Sequence, residues 1–168
     1  MAAPYNNIRS KLNRAIAAYL VSAGAGRAAD VLLANTSQPK GFPNTTIRSA
    51  IAKPEVQFVS LYMVTVHIVI RESAVSSNRV AFDQRISATF DAMMQSDDGQ
   101  SLKATAALIT AAGRALATTD PENNADMADF TCQAVHEGGC GDGEPDKDGT
   151  YWEEILIFDC LCSPSNVD

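Results

Sequence analysis

The residues that could do chemistry are concentrated near the end of the chain, and the first set is the acidic segment GDGEPDKDGT at 141–150. Carboxylate oxygens at this density could bind a hard cation such as Ca²⁺. Aligned as a calcium-binding loop, Glu144, Asp146 and Asp148 take the first, third and fifth positions, but the last position, which needs a bidentate glutamate, is Ile155. The residues that follow alternate as a strand does, so a flanking helix is missing. We predict a polar turn without a bound metal.

Four cysteines form the second set: Cys132, Cys140, Cys160 and Cys162. Their spacing does not match the paired C-x2-C layouts of structural zinc sites. His136 lies between the first two, which leaves a small metal-binding module as an alternative. Cys160 and Cys162 would point to the same face of a strand. Because small apolar thiols are common in protein cores, we predict that these cysteines are buried and bind no metal.

Signs of enzymatic chemistry are few. The chain has only two histidines, His67 and His136, and it contains no nucleophile elbow, HExxH motif or phosphate-binding glycine loop. The stretch AGAGRAA at 23–29 resembles a dinucleotide fingerprint, but it follows a predicted helix instead of a strand. A pair of carboxylates in a cleft, as in a small hydrolase, is the alternative left open. We predict a protein that is not an enzyme and binds no cofactor.

Composition narrows the class of protein further. The chain has 168 residues, 46% of them hydrophobic and 20% charged, with a formal net charge of −7. This length suits a single domain over 1–168. The excess of acids argues against binding to nucleic acid through phosphates. No apolar run is long enough to cross a bilayer and the N-terminus lacks a secretion signal, so we expect no membrane contact and synthesis in the cytoplasm.

The elements that would position these residues begin with an amphipathic helix. Its apolar residues recur at Ile8, Leu12, Ile16 and Leu20, Asn6 or Asn7 is the expected cap, and the glycines after it are helix stops. Residues 30–46 are expected to be a loop. Two helices are predicted over 79–94 and from a Ser101 cap to 117. Their apolar stripes are Phe82, Ile86, Phe90 and Met93 or Met94 in the first, and Leu102, Leu108, Ile109, Ala112 and Leu116 in the second.

Strands account for most of the remaining chain. A short strand is predicted in TIRSAIA at 46–52, and a long one in VQFVSLYMVTVHIVIRE at 56–72. The long strand is apolar on both faces, so another element or another subunit must cover its second face. A polar loop at 118–129 precedes a hairpin, FTCQAVH and TYWEEILIFDCLC, whose tip at 137–149 would protrude. The predicted fold is α+β, an antiparallel or mixed sheet flanked by helices, in the order α-β-β-α-α-β-β.

This order of elements carries a resemblance to a known family. The opening helix NNIRSKLNRAIAAYLVSAG, the proline-marked loop LLANTSQPKGFPN, the strand VQFVSLYMVTVHIVIRES, the helix RVAFDQRISATFDAMM and the final GTYWEEILIFDCLCSPSN follow one another along nearly the whole chain. In this order, and in the character of the last strand, the chain resembles the tail terminator (tail completion) and minor tail proteins of long-tailed bacteriophages.

The resemblance implies a structural protein of the virion. Such a subunit forms a homohexameric ring that caps the tail tube, stops its polymerisation and joins it to the head–tail connector, while DNA passes through without specific binding. Assembly would occur in the cytoplasm of the bacterial host. No catalytic residues belong to this role. A neck or head-completion protein of the same virion is the alternative.

The sequence also suggests where copies would meet. The second face of the long strand carries Val59, Leu61 and Met63, and the last strand carries Trp152, Ile155 and Ile157. Apolar residues on a sheet face that the chain's own helices do not cover are candidates for subunit contact. We predict that these six residues contribute to the interface between subunits.

Overall fold

A computed structural model describes residues 4–25, 31–33, 45–54, 61–73, 79–142 and 151–163. The helices within these ranges are α1 (Pro4–Ser22), α2 (Arg79–Met93), α3 (Lys103–Thr119) and the short α4 (Pro121–Asn124), which a single 3-10 turn (Ala125–Met127) extends. The strands are β1 (Val31–Leu33), β2 (Thr45–Pro54), β3 (Tyr62–Ser73), β4 (Cys132–Asp142) and β5 (Tyr151–Cys162).

The described strands form one mixed sheet in the order β1-β2-β3-β5-β4. β1 is parallel to β2, and every other neighbouring pair is antiparallel. The long strands β3 and β5 lie at the centre and pair without a break, from Tyr62 opposite Cys162 to Ser73 opposite Tyr151. The predicted α+β class is confirmed, with the helices packed against the sheet.

The core lies between the helices and one face of this sheet. Alternation along a strand sends the even-numbered residues of β3 and β5 into the core, where they meet the apolar stripe of α1, as the sequence predicted. The buried cluster includes Ile8, Leu12, Ile16 and Leu20 from α1, Val64, Val66, Ile68 and Ile70 from β3, and Leu156, Phe158, Cys160 and Cys162 from β5.

The ends of α1 are only partly as expected. Helix α1 begins at Pro4, so Asn6 and Asn7 lie inside its first turn and the predicted asparagine cap is wrong. Proline is favoured in a first turn because its missing N–H group would have no helical acceptor there. At the other end Gly24 adopts a φ of 77°, and the Ala25 N–H group donates to the Leu20 carbonyl over 2.9 Å. This is the expected glycine stop.

The start of α3 also differs from its prediction. Helix α3 begins at Lys103, and Leu102 occupies the cap position without any side-chain cap bond. Ser101 instead belongs to the preceding turn, where its N–H group donates to Asp98 over 2.7 Å. Thr105 ties the two helices together because its hydroxyl donates to the Met93 carbonyl over 2.8 Å. The predicted serine cap is wrong, because Ser101 lies in the turn before α3 and Leu102 occupies the cap position.

The stripes predicted for α2 and α3 are buried with one exception. Phe82, Met93, Leu102 and Ile109 are buried, and the remaining stripe residues pack against the core in part. Leu108 is 44% exposed, because Ile109 already points into the core and adjacent helical positions point about 100° apart.

The segment at 118–129 was predicted to be a polar loop, and this prediction is wrong. It contains α4 and the 3-10 turn, which ion pairs attach to α1. Arg14 donates to Asn124 over 3.0 Å and to both carboxylate oxygens of Asp126 over 2.9 and 2.7 Å. Lys11, only 1% exposed, lies 3.6 Å from a carboxylate oxygen of Asp129. Contacts from two basic side chains of α1, which are distant in the sequence, thus hold residues 124–129 against that helix.

Two loop predictions need smaller corrections. The expected loop at 30–46 contains β1, which pairs with the start of β2 at Thr45. The predicted protruding tip at 137–149 begins too early, since β4 pairs with β5 as far as Asp142 opposite Glu154. Residues 143–149 lie outside the described residues.

Gly113 makes the close approach of α3 to its neighbours possible. A Cβ atom at this position would lie 2.8 Å from Ala15 Cβ and 2.8 Å from Phe130 Cδ1. Gly113→Val should therefore lower the free energy of unfolding by about 1–3 kcal/mol through overpacking, as measured by urea denaturation. Ala111→Val, at an exposed position of the same helix, is the matched control and should cost only about 0.5 kcal/mol of helix propensity. Equal effects at the two sites would contradict the close packing.

The Arg14–Asp126 pair should make stability depend on pH. Hydrogen bonds from Arg14 hold the pKa of Asp126 below its ordinary value, and the charge of Lys11 acts in the same direction. A carboxyl group whose pKa is depressed by folding contributes stability above its unfolded pKa of about 3.9, and this contribution is lost as the pH falls through the folded pKa.

Asp126→Asn removes this contribution. Because the pair is partly exposed, the variant should lose at most about 1 kcal/mol at neutral pH. It should also lose less stability than the wild type as the pH falls below about 4. Urea unfolding at a series of pH values measures both effects. Asp83→Asn, which breaks the exposed pair with Arg79, is the control and should change little. An acid profile of Asp126→Asn identical to that of the wild type would refute the assignment.

Candidate functional site: the helix-free face of the sheet

The odd-numbered residues of β3 and β5 form a second sheet face, which we call the open face. Its cross-strand pairs are Met63–Leu161, Thr65–Asp159, His67–Ile157, Val69–Ile155 and Arg71–Glu153. The buried cluster that joins the helices to the sheet contains none of these residues. Within the described part of the chain, therefore, the helices pack on one side of β3 and β5 only.

The apolar part of the open face is half-buried. Met63, Ile155, Ile157 and Leu161 have intermediate exposure, whereas Val69 at its centre is only 1% exposed. Directly opposed side chains in an antiparallel pair are close enough to pack on one another, so this face shields part of its own apolar surface. What stays accessible is apolar surface in two parts, one at Met63 and Leu161 and one at Ile155 and Ile157, with the Thr65–Asp159 pair between them.

Four polar residues of the open face are paired across the two strands. The Thr65 hydroxyl donates to Asp159 over 2.8 Å, and Arg71 forms an ion pair with Glu153. The Glu153 side chain is only 8% exposed. Because these four groups have partners, another surface could cover them without leaving their charges unpaired, which would be costly.

Four of the six predicted interface residues lie on or beside this face. Met63, Ile155 and Ile157 belong to it, and Leu61 precedes β3 directly and is half-buried. Val59 lies outside the described residues. Trp152 is on the helix side of the sheet, where its ring lies 5.7 Å from that of Phe82. The six residues therefore do not share one surface.

The physical reason for the position of Trp152 is its strand parity. It is an even-numbered residue of β5 opposite Glu72, so it points toward α2, where the Arg79 guanidinium lies 5.6 Å from the centre of its ring. Leu161 and the Arg71–Glu153 and Thr65–Asp159 pairs were not predicted from the sequence to belong to this surface. Which residues of two strands stand opposite one another depends on their register, and register is set by the fold.

The other candidate sites do not converge. The structure brings Cys132, Cys160 and Cys162 together in the core, whereas His136 is exposed opposite Asp159 on the other face. Among the described residues, no group of three or more histidine, cysteine, aspartate or glutamate residues is arranged to hold a metal ion. Glu144, Asp146 and Asp148, which were predicted to lie in a polar turn without a bound metal, are outside the described residues. His67 is half-buried opposite Ile157.

Comparison with protein-family models and with curated proteins gives no match to this chain. The helices in the described ranges are all too short or too polar to span a bilayer. The open face is therefore the feature of this chain that indicates a function.

The Arg71–Glu153 pair should stabilise the open face of each subunit. Glu153→Gln keeps the shape of the side chain but leaves Arg71 without its charged partner, so we expect a loss of about 2 kcal/mol in the free energy of unfolding. Urea denaturation of the wild type and the variant measures this difference. Glu137→Gln, at an exposed position of β4, should change stability by less than about 0.5 kcal/mol. A similar loss in both variants would show that the pair contributes nothing specific.

Proposed function

We propose that this chain is a structural ring subunit of a tailed-phage virion, a tail terminator that caps the tail tube and whose copies pack through the open face. The single observation that carries the proposal is the partly exposed apolar surface of Met63, Ile155, Ile157 and Leu161, against which no helix of the described residues packs. A sheet that is apolar on both sides is typical of a sheet buried on both sides.

The energetics of the open face favour contact with another protein surface. Completing the burial of each partly exposed apolar side chain stabilises the contact by at most about 1 kcal/mol. The Thr65–Asp159 and Arg71–Glu153 pairs are already formed within one chain, which keeps the desolvation cost of such a contact low. Because a closed ring is built from heterologous contacts, the open face of one subunit would pack on a different surface of its neighbour.

Charge supports the same role. A ring subunit of a virion tail lines a channel through which DNA passes. With a formal net charge of −7, the chain repels phosphates more than it binds them. A wall of this kind lets DNA slide without specific contact.

The proposal names the partners that the family resemblance implies. These are identical copies in a ring, in which six is the expected number, together with the tail tube protein and the head–tail connector. The protein would be located in the virion after assembly in the host cytoplasm. Its work is mechanical and steric, so the proposal assigns no catalytic residue, cofactor or membrane contact.

Ile157→Glu tests the proposal because it introduces a charge in the middle of the open face. The wild type should assemble into rings as its concentration rises, and the variant should remain monomeric, because burying an unpaired carboxylate at the contact costs several kcal/mol. Native mass spectrometry and sedimentation velocity measure the assembly. Circular dichroism and the melting temperature show whether the monomer remains folded.

The matched control is Leu108→Glu, which introduces the same charge at an exposed apolar position on the helix side and should assemble like the wild type. Loss of assembly in the control alone would move the interface to the helices. A wild type that stays monomeric at high concentration and in the presence of tail tubes would refute the ring. An Ile157→Glu monomer that unfolds would place the open face in the core of the subunit.

A further inference from the structure

Three of the four cysteines form a cluster of thiols at the end of the hairpin that is remote from its tip. Cys132 is at the start of β4, and Cys160 and Cys162 are at the end of β5. All three side chains belong to the same buried core, and Cys132 stands opposite Cys162 across the two strands. All three side chains are buried, Cys132 being 4% exposed and the other two fully enclosed. Packing alone requires only small apolar side chains here and does not require three thiols.

The register of β4 and β5 favours Cys162 over Cys160 as the partner of Cys132. Cys132 stands directly opposite Cys162, whereas Cys160 stands opposite Val135. The Ser163 N–H group donates to the Thr131 carbonyl over 3.3 Å, just outside the Cys132–Cys162 pair. A bond in this position marks Cys132 and Cys162 as a non-hydrogen-bonded pair, in which the Cα atoms are about 4.5 Å apart. That spacing falls within the range that a disulfide requires.

Other contacts hold this pair in place. The Thr110 hydroxyl of α3 accepts a bond from the Cys132 N–H group over 2.9 Å and lies 3.1 Å from its carbonyl oxygen. The Gln133 side chain donates to the Ser163 hydroxyl over 3.0 Å. An irregularity between Cys132 and Ala134 allows both Cys132 and Val135 to point into the core. Cys132 is thus fixed from α3 and from across the sheet.

We propose that Cys132 and Cys162 are a redox-sensitive pair that hydroperoxides convert into a cross-strand disulfide, which closes the β4–β5 hairpin at its open end. The proposal stands apart from the ring function, since both thiols lie on the helix side of the sheet. Its consequence is mechanical, because the bond would prevent β4 and β5 from separating where the hairpin meets the C-terminal residues.

The chemistry balances with hydrogen peroxide as the oxidant. The Cys132 thiolate attacks one peroxide oxygen, the O–O bond breaks, and the sulfur becomes a sulfenic acid while hydroxide leaves and takes up a proton. The Cys162 sulfur then attacks the Cys132 sulfur, the S–O bond breaks, and the hydroxyl group leaves as water with the Cys162 proton. Two thiols lose two electrons and two protons, and one peroxide becomes two waters.

The order of attack follows from the surroundings of the thiols. Hydrogen bonds from Cys160 and Cys162 to its thiolate lower the pKa of Cys132. The contact with Cys132 and burial raise the pKa values of Cys160 and Cys162. The thiolate is the nucleophile in such oxidations. Cys132, which is also the least enclosed of the three, is therefore the sulfur that reacts first.

The test uses the full chain with Cys140→Ser, so that the fourth thiol cannot exchange. After treatment with hydrogen peroxide and alkylation of the remaining thiols, peptide mass mapping should find Cys132 linked to Cys162. The oxidised protein should melt roughly 5–10 °C above the same sample reduced with dithiothreitol, because the bond closes a loop of about thirty residues in the unfolded chain.

Two further variants test whether Cys132 bonds to Cys162 because the two stand opposite one another, or would bond equally to Cys160. Cys160→Ser should still form the Cys132–Cys162 bond. Cys162→Ser should instead accumulate a sulfenic acid on Cys132, trapped by dimedone, because Cys160 is displaced along the strand. A Cys132–Cys160 bond in the parent protein, or alkylation of both Cys132 and Cys162 after peroxide, would overturn the proposal. The Cys140→Ser protein alone shows whether Cys132 and Cys162 become linked, even if a further serine variant fails to fold.

Discussion

The structure depends on one constraint, the alternation of side chains along the two central strands. Because β3 and β5 pair in unbroken register, every even-numbered residue from Tyr62 to Glu72 faces the helices and every odd-numbered one faces away. The helices in the described ranges pack on only one of these faces. The hydrophobic core and the candidate interaction surface are therefore the two sides of the same pair of strands. A shift of either strand by one residue would move its core side chains to the open face and its open-face side chains into the core.

This division assigns different roles to residues of similar type. On the helix side, Val66 and Phe158 are opposite one another and provide the buried apolar area that stabilises the subunit. On the open face, Ile157 and Met63 remain partly accessible and are free to contact a neighbour. The same parity puts the thiols of Cys160 and Cys162 in the core and leaves the imidazole of His136 on the opposite side of the sheet.

Polar contacts between distant parts of the chain complete the fold. Arg14 and Lys11 of α1 hold the segment that contains α4, although its composition resembles that of a loop. Thr105 joins α2 to α3, and Thr110 joins α3 to the start of β4. The two threonines are short side chains that bond to backbone groups near the ends of α2 and β4.

The strongly periodic features follow from the amino-acid pattern alone: the stripe of α1 from Ile8 to Leu20, the α+β class, and the two faces of β3 and β5. Periodicity is a local property, so it can be recognised without knowing which elements pack together. Long-range packing sets the register that places Arg71 opposite Glu153 and Cys132 opposite Cys162, the side of the sheet that Trp152 faces, and the helical state of 121–127. These features depend on contacts between residues far apart in the chain, which no local pattern encodes.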